Sequence, residues 1–357
     1  MNGEKDRVMQ MRILIDTTPL ENANAIRGVG RYTQELIQAL RLLSTPHEFV
    51  TSKEVGKSSI DLVHYPFFDL FFSTLPLRHS KPTVVTIHDV IPLVFAKHYP
   101  RGIKGNVKFF KQRLALRGVS HVITDSQISK RDIIEHLKIQ SEKITVVPLA
   151  ASGEIRKPPQ AIVDSVRKQH ELPKKYALYV GDINYNKNLP FLISAMSRVE
   201  KLALVLVGKN VKDTTISEGR EIDRAVKAHG MEKRVYFVDN LGTNSVQELS
   251  ALYAGATVYI QPSLYEGFGL PILEAMQCRT PVVCSLGGSL PEVAGDAAVY
   301  FHPHDEEECA TAIMKVLHMP ERQLQGLIQK GVDQASRYTW EQTAKQTLAV
   351  YEMVMRK

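Results

Sequence analysis

The chain has 357 residues, of which 44% are hydrophobic and 23% are charged, a balance that is normal for a folded protein and excludes a largely disordered one. This length fits two domains of ordinary size better than one small core. The formal net charge of +7 means that the surface attracts anionic groups such as phosphates, an acidic membrane face or nucleic acid, and charge alone does not choose among them.

The cysteines and the amino-terminal residues bear on the cellular compartment. Cys278, Cys284 and Cys309 show neither a CxxC nor a Cys/His metal spacing, so we expect reduced thiols. The first ten residues are polar and lack the apolar core of a signal peptide, and no run reaches the roughly 18 apolar residues of a spanning helix. The sequence predicts a soluble, cytoplasmic protein, with a peripheral position on the inner face of the plasma membrane as a further possibility.

Short apolar runs alternate with helical patterns through the first half of the chain. The predicted strands are 11–16, 61–65, 83–87, 121–124 and 144–148, and the predicted helices are 30–43, 103–117 and 129–137. This alternation predicts a parallel sheet with helices on both faces.

A polar stretch at 150–173, which contains Pro158, Pro159 and Pro173, is interpreted as an interdomain linker. A second series follows it. Its predicted strands are 176–180, 202–207, 235–238, 257–260 and 281–284, and its predicted helices are 189–199, 221–229, 246–253, a helix that starts at 271–276, and 340–355. The sequence therefore predicts two α/β domains, residues 1–155 and 156–339, and a terminal helix within 340–357.

The strongest motif is residues 262–274 (PSLYEGFGLPILE), directly after the strand predicted at 257–260, where open parallel sheets bind ligands. Gly267 and Gly269 allow a tight turn and a close approach of backbone amides to a ligand. Pro271 suits the first turn of a helix, whose free amides and positive end would then face a pyrophosphate. Phe268 and Leu270 lie in the same turn and are further candidates for the donor site.

Two carboxylates belong to this motif. Glu266 lies before the glycine turn and Glu274 in the expected first turn of the helix, so the loop can bring both toward one cavity. Carboxylates accept hydrogen bonds from the vicinal hydroxyl groups of a sugar or ribose. The alternative is that Glu274 only complements the helix dipole and that Glu266 is solvated.

The motif resembles the E-x7-E segment of the retaining GT-B glycosyltransferases, in particular family 4. Residues 287–293 (GGSLPEV) and 296–298 (DAA) are also similar to that family. The resemblance covers nearly the whole chain and implies an α/β GT-B fold of two Rossmann-like domains that face each other across a cleft. The first domain would bind the acceptor and the second a nucleotide sugar, and the last helix would cross back to the first domain. The resemblance also implies that Glu266 contacts the transferred sugar and Glu274 the ribose.

A second motif, residues 180–189 (VGDINYNKNL), again runs from a predicted strand into a helix. A lysine at such a turn can neutralise a phosphate, so Lys187 is assigned to the donor diphosphate as a catalytic cation, with Gly181 and Asn186 beside it. In the family this lysine pairs with an arginine just after the glycine, but this chain has Asp182 there. Either Lys187 acts with backbone amides alone, or another cation such as Lys209 substitutes.

The first half carries weaker candidates. Residues 27–32 (RGVGRY) lack the third glycine of the dinucleotide fingerprint but resemble the family's glycine loop, so Gly28 and Gly30 are candidates for contact with the donor phosphates. The resemblance places His88 near the transferred sugar, and we assign it contact with the donor sugar rather than general-base catalysis. His64 and Ser126, at two other predicted strand ends, are candidates for the acceptor site.

The residues also predict a metal-independent reaction. No DxD-type pair follows a strand, so helix amides and cations would stabilise the leaving diphosphate, and no cofactor is expected beyond the donor substrate. The resemblance implies retention of anomeric configuration, through a front-side displacement in which the departing β-phosphate oxygen takes the proton of the acceptor.

A basic and aromatic segment surrounds the helix predicted at 103–117, with Phe109, Phe110 and Leu114 among six cations: Arg101, Lys104, Lys108, Lys111, Arg113 and Arg117. This composition, with the apolar residues 67–72 nearby, suits an interfacial helix on anionic lipid. The alternative is a solvated basic face with the aromatic side chains in the core. The resemblance favours the membrane, because family members that build cell-surface glycans meet lipid-linked acceptors here. Nucleic acid is not an expected partner, because no recognised module accompanies the charge.

The sequence therefore predicts a glycosyltransferase that moves a hexose to a glycan or lipid-linked acceptor in cell-surface polysaccharide synthesis. GDP-mannose is the first choice of donor because residues 88–93 (HDVIPL) resemble bacterial mannosyltransferases, and UDP-glucose and UDP-N-acetylglucosamine are alternatives. The nucleotide base is expected near residues 240–244. A nicotinamide-dependent dehydrogenase fails on the missing third glycine, and Asp182 keeps open a non-catalytic, glycosyltransferase-like partner subunit.

Overall fold

The computed structural model describes residues 10–21, 28–56, 59–239, 241 and 245–356. The chain divides into two compact units. The first unit comprises Met1–Leu149 together with Thr339–Lys357, and the second comprises Ala150–Tyr338. The boundaries expected from the sequence lie at residues 155 and 339. Arg27 of the glycine loop, and residues 240 and 242–244 of the expected base site, lie outside the described residues.

The first unit is built on a six-stranded parallel sheet in the order β2-β1-β3-β4-β5-β6. Its strands are β1 (Arg12–Ile15), β2 (Glu48–Thr51), β3 (Leu62–Tyr65), β4 (Thr83–Thr86), β5 (His121–Thr124) and β6 (Ile144–Val146). Its first helices are α1 (Thr18–Glu21), α2 (Gly28–Leu42), α3 (Ile91–Val94), α4 (Gly102–Leu116) and α5 (Gln127–Leu137).

The second unit repeats this plan with the order β12-β11-β10-β7-β8-β9, also parallel. Its strands are β7 (Tyr176–Val180), β8 (Ala203–Val207), β9 (Val235–Val238), β10 (Val258–Gln261), β11 (Val282–Ser285) and β12 (Ala298–Phe301). Its helices are α6 (Gln160–Gln169), α7 (Leu189–Ser197), α8 (Ser217–Ala228), α9 (Ser245–Gly255), α10 (Leu270–Gln277), α11 (Leu290–Ala294), α12 (Glu306–Leu317) and α13 (Glu321–Ser336).

Burial of whole strands agrees with parallel sheets that helices cover on both faces. Every residue of β4, β5, β8, β10 and β11 is buried, as expected of strands that have helices on both faces. The covering helices bury one stripe each. In α2 the buried side chains Tyr32, Leu36 and Leu40 recur every four residues, which is the spacing of one helix face.

Each sheet has one point where the strand order reverses. In the second sheet the chain runs from β7 outward through β8 and β9, then returns to the other side of β7 with β10. Ligands of open α/β sheets bind at the carboxyl ends of the strands that flank such a switch point. The loops after β7 and β10 are therefore the first place to look for a site.

The terminal helix α14 (Trp340–Met355) belongs to the first unit and packs on α2. Its Thr343 hydroxyl donates to the Pro148 carbonyl at 2.8 Å, and its buried Tyr351 hydroxyl lies 2.6 Å from Nδ1 of His64. No helix among the described residues is both long and apolar enough to cross a membrane.

The interpretation of 150–173 as a linker is wrong for its central part. Residues 160–169 form α6, which packs on α9 inside the second unit. Val163 and Val166 are its buried residues, and their spacing of three fits one helix face. Pro159 precedes the helix as its N-cap residue, so the prolines mark a helix start rather than a linker.

Candidate active site

The centre of the candidate site is an ion pair at the switch point of the second sheet. Lys187 follows β7, and Glu266 lies in the loop after β10. The Lys187 ammonium donates to both carboxylate oxygens of Glu266, at 2.8 Å to Oε1 and 2.9 Å to Oε2. The Glu266 side chain is only 8% exposed and that of Lys187 19%, so water screens the pair weakly.

The two oxygens of Glu266 differ in what they accept. Oε1 also accepts hydrogen bonds from Gln261 Nε2 at 2.9 Å and from the Ser263 hydroxyl at 2.6 Å. A carboxylate offers about four lone-pair positions in all. Oε1 therefore accepts from three donors and Oε2 from Lys187, which leaves Oε2 the capacity to accept from a ligand hydroxyl.

The backbone of the Glu266 loop is held by side chains from two other loops. Asn186 Nδ2 donates to the Tyr265 carbonyl at 3.0 Å, and the Ser289 hydroxyl lies 3.1 Å from the Glu266 carbonyl and 2.8 Å from that of Phe268. Gly288 adopts φ +60°, and a methyl group there would lie 2.4 Å from the Glu266 carbonyl oxygen. Asn186 is thus placed as a support of the loop.

The glycine turn leads directly into α10. Gly269 has φ +105°, in the left-handed region that favours glycine, and it is the N-cap residue of a helix with no side-chain cap at that end. Phe268 is buried and its ring meets Tyr338 edge-on, at 5.7 Å between ring centroids. Gly267 is buried and Leu270 is half-buried, so this segment presents mainly backbone.

Glu274 lies deeper than the sequence indicated. It is the fifth residue of α10, so it stands beyond the first helical turn where we had expected it. Its side chain is buried, and its Oε2 accepts a hydrogen bond from the Tyr253 hydroxyl at 2.8 Å. A buried carboxylate with a hydroxyl partner is a held group rather than a solvated complement to the helix dipole.

Three buried tyrosines form a layer beside both carboxylates, and the sequence had not pointed to them. The Tyr259 hydroxyl donates to Gln261 Oε1, and the rings of Tyr253 and Tyr259 lie 5.5 Å apart. Burial, and then the nearby carboxylates, raise the pKa values of Tyr179, Tyr253 and Tyr259 well above the ordinary value. They remain neutral donors at any physiological pH. Their position within the apolar runs of β7, α9 and β10 made them look like core residues.

The remaining candidates of the second unit are less closely joined to the pair. Gly181 directly follows β7, and its amide donates to the Val207 carbonyl at 2.9 Å. Asp182 is exposed, and its backbone carbonyl accepts from the Tyr179 hydroxyl at 2.6 Å. Lys209, after β8, is exposed and makes no ion pair or side-chain hydrogen bond with the described residues. The structure therefore brings Lys187 and Glu266 together but does not bring Lys209 to them.

In the first unit the structure pairs His88 with a residue that the sequence had not singled out. His88 follows β4, Asp125 follows β5, and Nδ1 of the imidazole lies 2.8 Å from Oδ2 of the carboxylate. Burial alone would lower the pKa of His88, but the charge and hydrogen bond of Asp125, aided by Asp89, raise it. Burial raises the pKa of Asp125 against the opposing effect of His88. The Tyr32 ring meets the imidazole edge-on at 4.6 Å.

His64 is placed as a structural residue. Its ring is fully buried, with Nδ1 on the Tyr351 hydroxyl and Nε2 at 2.8 Å from the Thr86 hydroxyl. Burial, with a smaller effect of His88, lowers the pKa of His64 to about 3, so it stays neutral. Both ring nitrogens are engaged inside the unit, which favours support of the interior of the first sheet over contact with an acceptor.

Ser126 and the two glycines of the first unit stand at helix starts. Ser126 is buried and caps α5 by accepting the Ser129 amide at 3.0 Å, so its hydroxyl serves the helix. Gly28 and Gly30 open α2, where Gly28 is exposed with open space around its missing side chain and Gly30 is buried. The positive end of a 15-residue helix is a suitable place for an anion.

The thiols and possible metal ligands can be surveyed over the described part of the chain. Cys278, Cys284 and Cys309 are free and buried. Within the described ranges, no three or more His, Cys, Asp or Glu side chains form a group that could hold a metal ion. Metal independence stays a prediction.

Comparison with known proteins identifies the family. The family model described as Glycosyl transferases group 1 matches residues 163–331, and that described as Glycosyltransferase Family 4 matches residues 41–151. Over 288 residues, which are 78% of this chain and 72% of the relative, the chain is 31% identical to O-antigen chain mannosyltransferase B of Escherichia coli. The chain belongs to the family 4 glycosyltransferases. Other curated mannosyltransferases that match are longer, and the chain spans 32% of one of them.

Solved structures confirm the GT-B class of this glycosyltransferase. Sucrose-phosphate synthase from Thermosynechococcus elongatus is similar with a TM-score of 0.75 at 19% identity, over 97% of this chain and all of that one. Anabaena Alr3699/HepE in complex with UDP-glucose gives a TM-score of 0.70, also at 19% identity, over 96% of this chain and all of that one. At such identities the likeness shows the fold alone. The protein is a glycosyltransferase with two six-stranded Rossmann-like units.

Proposed function

We propose that this glycosyltransferase transfers mannose from GDP-mannose to a glycan or lipid-linked acceptor in polysaccharide synthesis, with retention of anomeric configuration and without a metal ion. The observation that carries the proposal is the pair of Lys187 and Glu266 at the switch point of the second sheet. It sets a carboxylate with residual acceptor capacity beside a cation, which matches the hydroxyls and the diphosphate of an activated sugar.

Each group of the second unit has a role in this proposal. Glu266 Oε2 accepts a hydroxyl of the transferred sugar, while Gln261 and Ser263 hold Oε1 in place. The Lys187 ammonium and the backbone amides at the start of α10 stabilise charge on the departing diphosphate. Glu274, oriented by Tyr253, accepts from the ribose hydroxyls. Among the groups of the first unit, the proposal assigns His88 to the donor sugar.

The retaining course is proposed as a front-side displacement. The acceptor oxygen forms its bond to the anomeric carbon on the face that the diphosphate leaves. The departing β-phosphate oxygen takes the acceptor's proton, and nucleoside diphosphate is released. No side chain has to become covalently attached to the sugar, which is why Glu266 can remain paired with Lys187.

Mannose is preferred as the transferred sugar because the relative at 31% identity is an O-antigen chain mannosyltransferase. UDP-glucose and UDP-N-acetylglucosamine are the alternative donors, and a partner subunit without turnover is the alternative function. Asp182, at the position of the family arginine, is the residue that supports this last alternative.

The test is a comparison of donors with purified protein. Ligands stabilise a protein as the logarithm of their concentration over Kd, so a thermal-shift series with GDP-mannose, UDP-glucose and UDP-N-acetylglucosamine ranks the donors. We expect the largest rise in Tm with GDP-mannose, and slow release of GDP that is unchanged by a metal chelator. Absence of any nucleotide release from all three donors, with Tm still raised, would support the partner subunit instead.

The stereochemical course of the reaction is tested in a separate experiment. Once an acceptor is found, proton NMR of the first product formed should show the same anomeric configuration as in the donor. Inversion would overturn the proposed mechanism while leaving the donor assignment intact. Glu266→Gln is the matched control in both assays, because it keeps the side-chain shape and removes the charge.

A further inference from the structure

Strand β10, which is buried along its whole length, carries two polar side chains on one of its faces. Tyr259 is 0% exposed and Gln261 1%, and residues two apart in a strand point to the same side of the sheet. The alternate residues, Val258 and Ile260, belong to the apolar core. An apolar side chain at position 261 would fill the same space without the cost of burying an amide. Hydrogen bonding rather than packing therefore explains the amide.

Every polar atom of the Gln261 side chain has a partner. Nε2 donates to Glu266 Oε1 at 2.9 Å and to the Ser263 hydroxyl at 2.8 Å, and Oε1 accepts from the Tyr259 hydroxyl. A carboxylate only accepts, so the nitrogen of the amide must face Glu266 and the oxygen must face the phenol. The Tyr259 hydroxyl thus fixes the orientation of the amide, and the amide fixes one oxygen of Glu266.

Tyr259 keeps the hydrogen that it donates. Burial, and then the neighbouring Tyr179, Glu266 and Glu274, raise the pKa of Tyr259 well above the ordinary value. The phenol is therefore neutral at any physiological pH, and the direction of the hydrogen bonds from Tyr259 through Gln261 to Glu266 does not change.

The same tyrosine also contacts the support of the second carboxylate. The rings of Tyr259 and Tyr253 lie 5.5 Å apart between centroids and are inclined at 58°. The Tyr253 hydroxyl donates to Glu274 Oε2 at 2.8 Å. Tyr259 therefore supports Glu266 through its hydroxyl group and Glu274 through its ring.

We propose that Tyr259 and Gln261 are positioning residues, and that Tyr259 sets the separation between the carboxylate that takes the transferred sugar and the carboxylate that takes the ribose. The inference rests on the proposed function, which assigns those two groups of the donor to Glu266 and Glu274. Both positioning residues are buried and act through a carboxylate rather than on the substrate. Groups that contact a transition state must be held to within roughly 0.5 Å, which is the task of such supporting contacts.

The hydroxyl and the ring of Tyr259 can be tested separately, because a nucleoside diphosphate contains the ribose but lacks the transferred sugar. Tyr259→Phe removes only the hydroxyl. It should lower kcat with the donor that the protein turns over by roughly five- to tenfold, as for one lost hydrogen bond, and change the affinity for the nucleoside diphosphate by less than about twofold. Tyr259→Leu also removes the ring, so it should weaken that affinity by roughly fivefold. Tyr259→Phe carries the test if the larger change leaves no folded protein.

Gln261→Leu tests the next member of the same hydrogen-bonded series. It should lower kcat by a similar factor, and the double variant with Tyr259→Phe should be little worse than either single variant, because the two residues act as one unit. Tyr176→Phe is the matched control. Tyr176 is another buried tyrosine of the unit, and its hydroxyl donates to the Leu252 carbonyl at 2.8 Å. The control should lose comparable stability in denaturant unfolding and keep kcat within about twofold.

Gln261→Glu gives a readout that a packing role would not produce. The variant keeps the shape of the side chain, but its carboxyl group must hold a proton in order to donate to Glu266. Two carboxyl groups at hydrogen-bond distance share one proton, so the pair should have a pKa above the ordinary value for glutamic acid. Turnover should exceed that of Gln261→Leu at acid pH and fall as the pH rises through the raised pKa.

The groups around this carboxyl pair affect the size of the rise. The Lys187 ammonium opposes it and the charge of Glu274 adds to it, whereas the phenols and the thiol nearby are neutral. The titratable groups that face the pair are Lys187, Tyr179, Tyr259, Glu274 and Cys284.

Stability tests the same contact without turnover. A carboxyl pKa that is raised in the folded state favours folding at low pH, and this contribution is lost as the pH rises from the unfolded value of about 4.3 through the raised value. Gln261→Glu should therefore lose stability relative to the wild type between about pH 5 and about pH 8. Denaturant unfolding at the two pH values measures this difference.

The outcomes separate this inference from the proposed function. Unchanged kcat in Tyr259→Phe and Gln261→Leu, beside an active wild type, would overturn the inference alone. An equal stability difference between Gln261→Glu and the wild type at both pH values would also overturn it. A folded wild type that turns over no donor would overturn the proposed function and this inference together.

Discussion

Lys187 Nζ lies within 2.9 Å of both carboxylate oxygens of Glu266, and the pair joins the loops after β7 and β10 in the second unit. The strand order of the second sheet reverses between β7 and β10. The ion pair therefore connects the two loops that flank this switch point. Gln261 and Ser263 supply two further donors to the same carboxylate. A pair held in this way serves both the stability of the loop and the orientation of the proposed sugar contact.

The first prediction separates these two contributions. Lys187→Met leaves a buried carboxylate without its cation, which for buried pairs costs about 3–5 kcal/mol of the free energy of unfolding. The double variant Lys187→Met with Glu266→Gln should recover a large part of that loss, because the amide oxygen can still accept from Gln261 and Ser263. Denaturant unfolding of the four proteins in the cycle measures the coupling.

The control for this cycle is Lys209→Met. Lys209 is exposed after the neighbouring strand β8, and its replacement should change the free energy of unfolding by less than about 0.5 kcal/mol. In turnover, Glu266→Gln and Lys187→Met should each lower kcat on the order of 10²-fold, as for other lost electrostatic contacts to a transition state. Equal stability losses for Lys187→Met and Lys209→Met would contradict the central position of the pair.

The second prediction concerns the charge on His88. In the native protein the carboxylate of Asp125 raises the pKa of His88 although burial opposes it, while Asp89, Tyr32 and His64 complete its surroundings. In Asp125→Asn the anion is gone and burial prevails, so the pKa of His88 should fall below the ordinary 6.5. NMR titration of the imidazole signals measures this directly.

The sign of the accompanying stability change follows from the raised pKa. Protonation of His88 favours the folded state, so its contribution is complete below pH 6.5 and is lost as the pH rises through the raised value. Because the pKa of His88 in Asp125→Asn should lie below 6.5, the variant should reverse this pH dependence and lose stability as the pH falls through 6.5, and any basic limb of the activity profile assigned to His88 should shift toward lower pH. A His88 titration that is identical in the variant would show that Asp125 does not govern it.

The sequence placed the Lys187 and Glu266 loops correctly at the ends of strands, because glycine turns after apolar runs are local signals. It could not show that these two loops are neighbours, because that depends on β10 returning to the far side of β7. Asp125 was overlooked as the partner of His88 for the same reason, since the pairing of β4 and β5 is a long-range relationship. Tyr259 looked like core because it alternates with apolar residues in its strand.

The secondary structure was likewise predicted from the sequence only in part. The strands β2 and β12, each a four-residue strand at an edge of its sheet, were not predicted. The helix α6 was hidden by the prolines before it. The apolar face of α4 was legible as composition, but only the structure shows that Ile103, Val107, Phe110 and Leu114 lie on its exposed side.

The third prediction tests the support of Glu274. Tyr253→Phe removes the hydroxyl that donates to Glu274 Oε2, and Tyr176→Phe removes one that donates to the Leu252 carbonyl, also at 2.8 Å. Both buried changes should cost about 1 kcal/mol of the free energy of unfolding. Only Tyr253→Phe should also weaken nucleotide binding, by about fivefold, because it loosens the proposed ribose contact. Isothermal titration with GDP distinguishes them, and equal affinities in the two variants would remove Glu274 from the site.

The fourth prediction uses two glycines whose surroundings are opposite. Gly288 has φ +60°, and a methyl group there would meet the backbone of Glu266, 2.4 Å from its oxygen and 2.6 Å from its nitrogen. Gly326 lies exposed within α13 and has open space around it. Gly288→Ala should therefore destabilise the protein by roughly 1–3 kcal/mol, since both the backbone conformation and the Glu266 loop must shift. Gly326→Ala should stabilise it by roughly 0.5–1 kcal/mol through helix propensity.

The two glycine variants also distinguish an effect on turnover from an effect on stability. A shift of the Glu266 backbone moves the carboxylate away from Lys187, and displacement of a positioning group by about 1 Å can cost on the order of 10²-fold in rate. Gly288→Ala should thus lose activity even at temperatures where it remains folded, whereas Gly326→Ala should keep full activity. If Gly288→Ala were inactive only where it is unfolded, the contact between residue 288 and the Glu266 loop would matter for the fold alone, because the carboxylate would have kept its place.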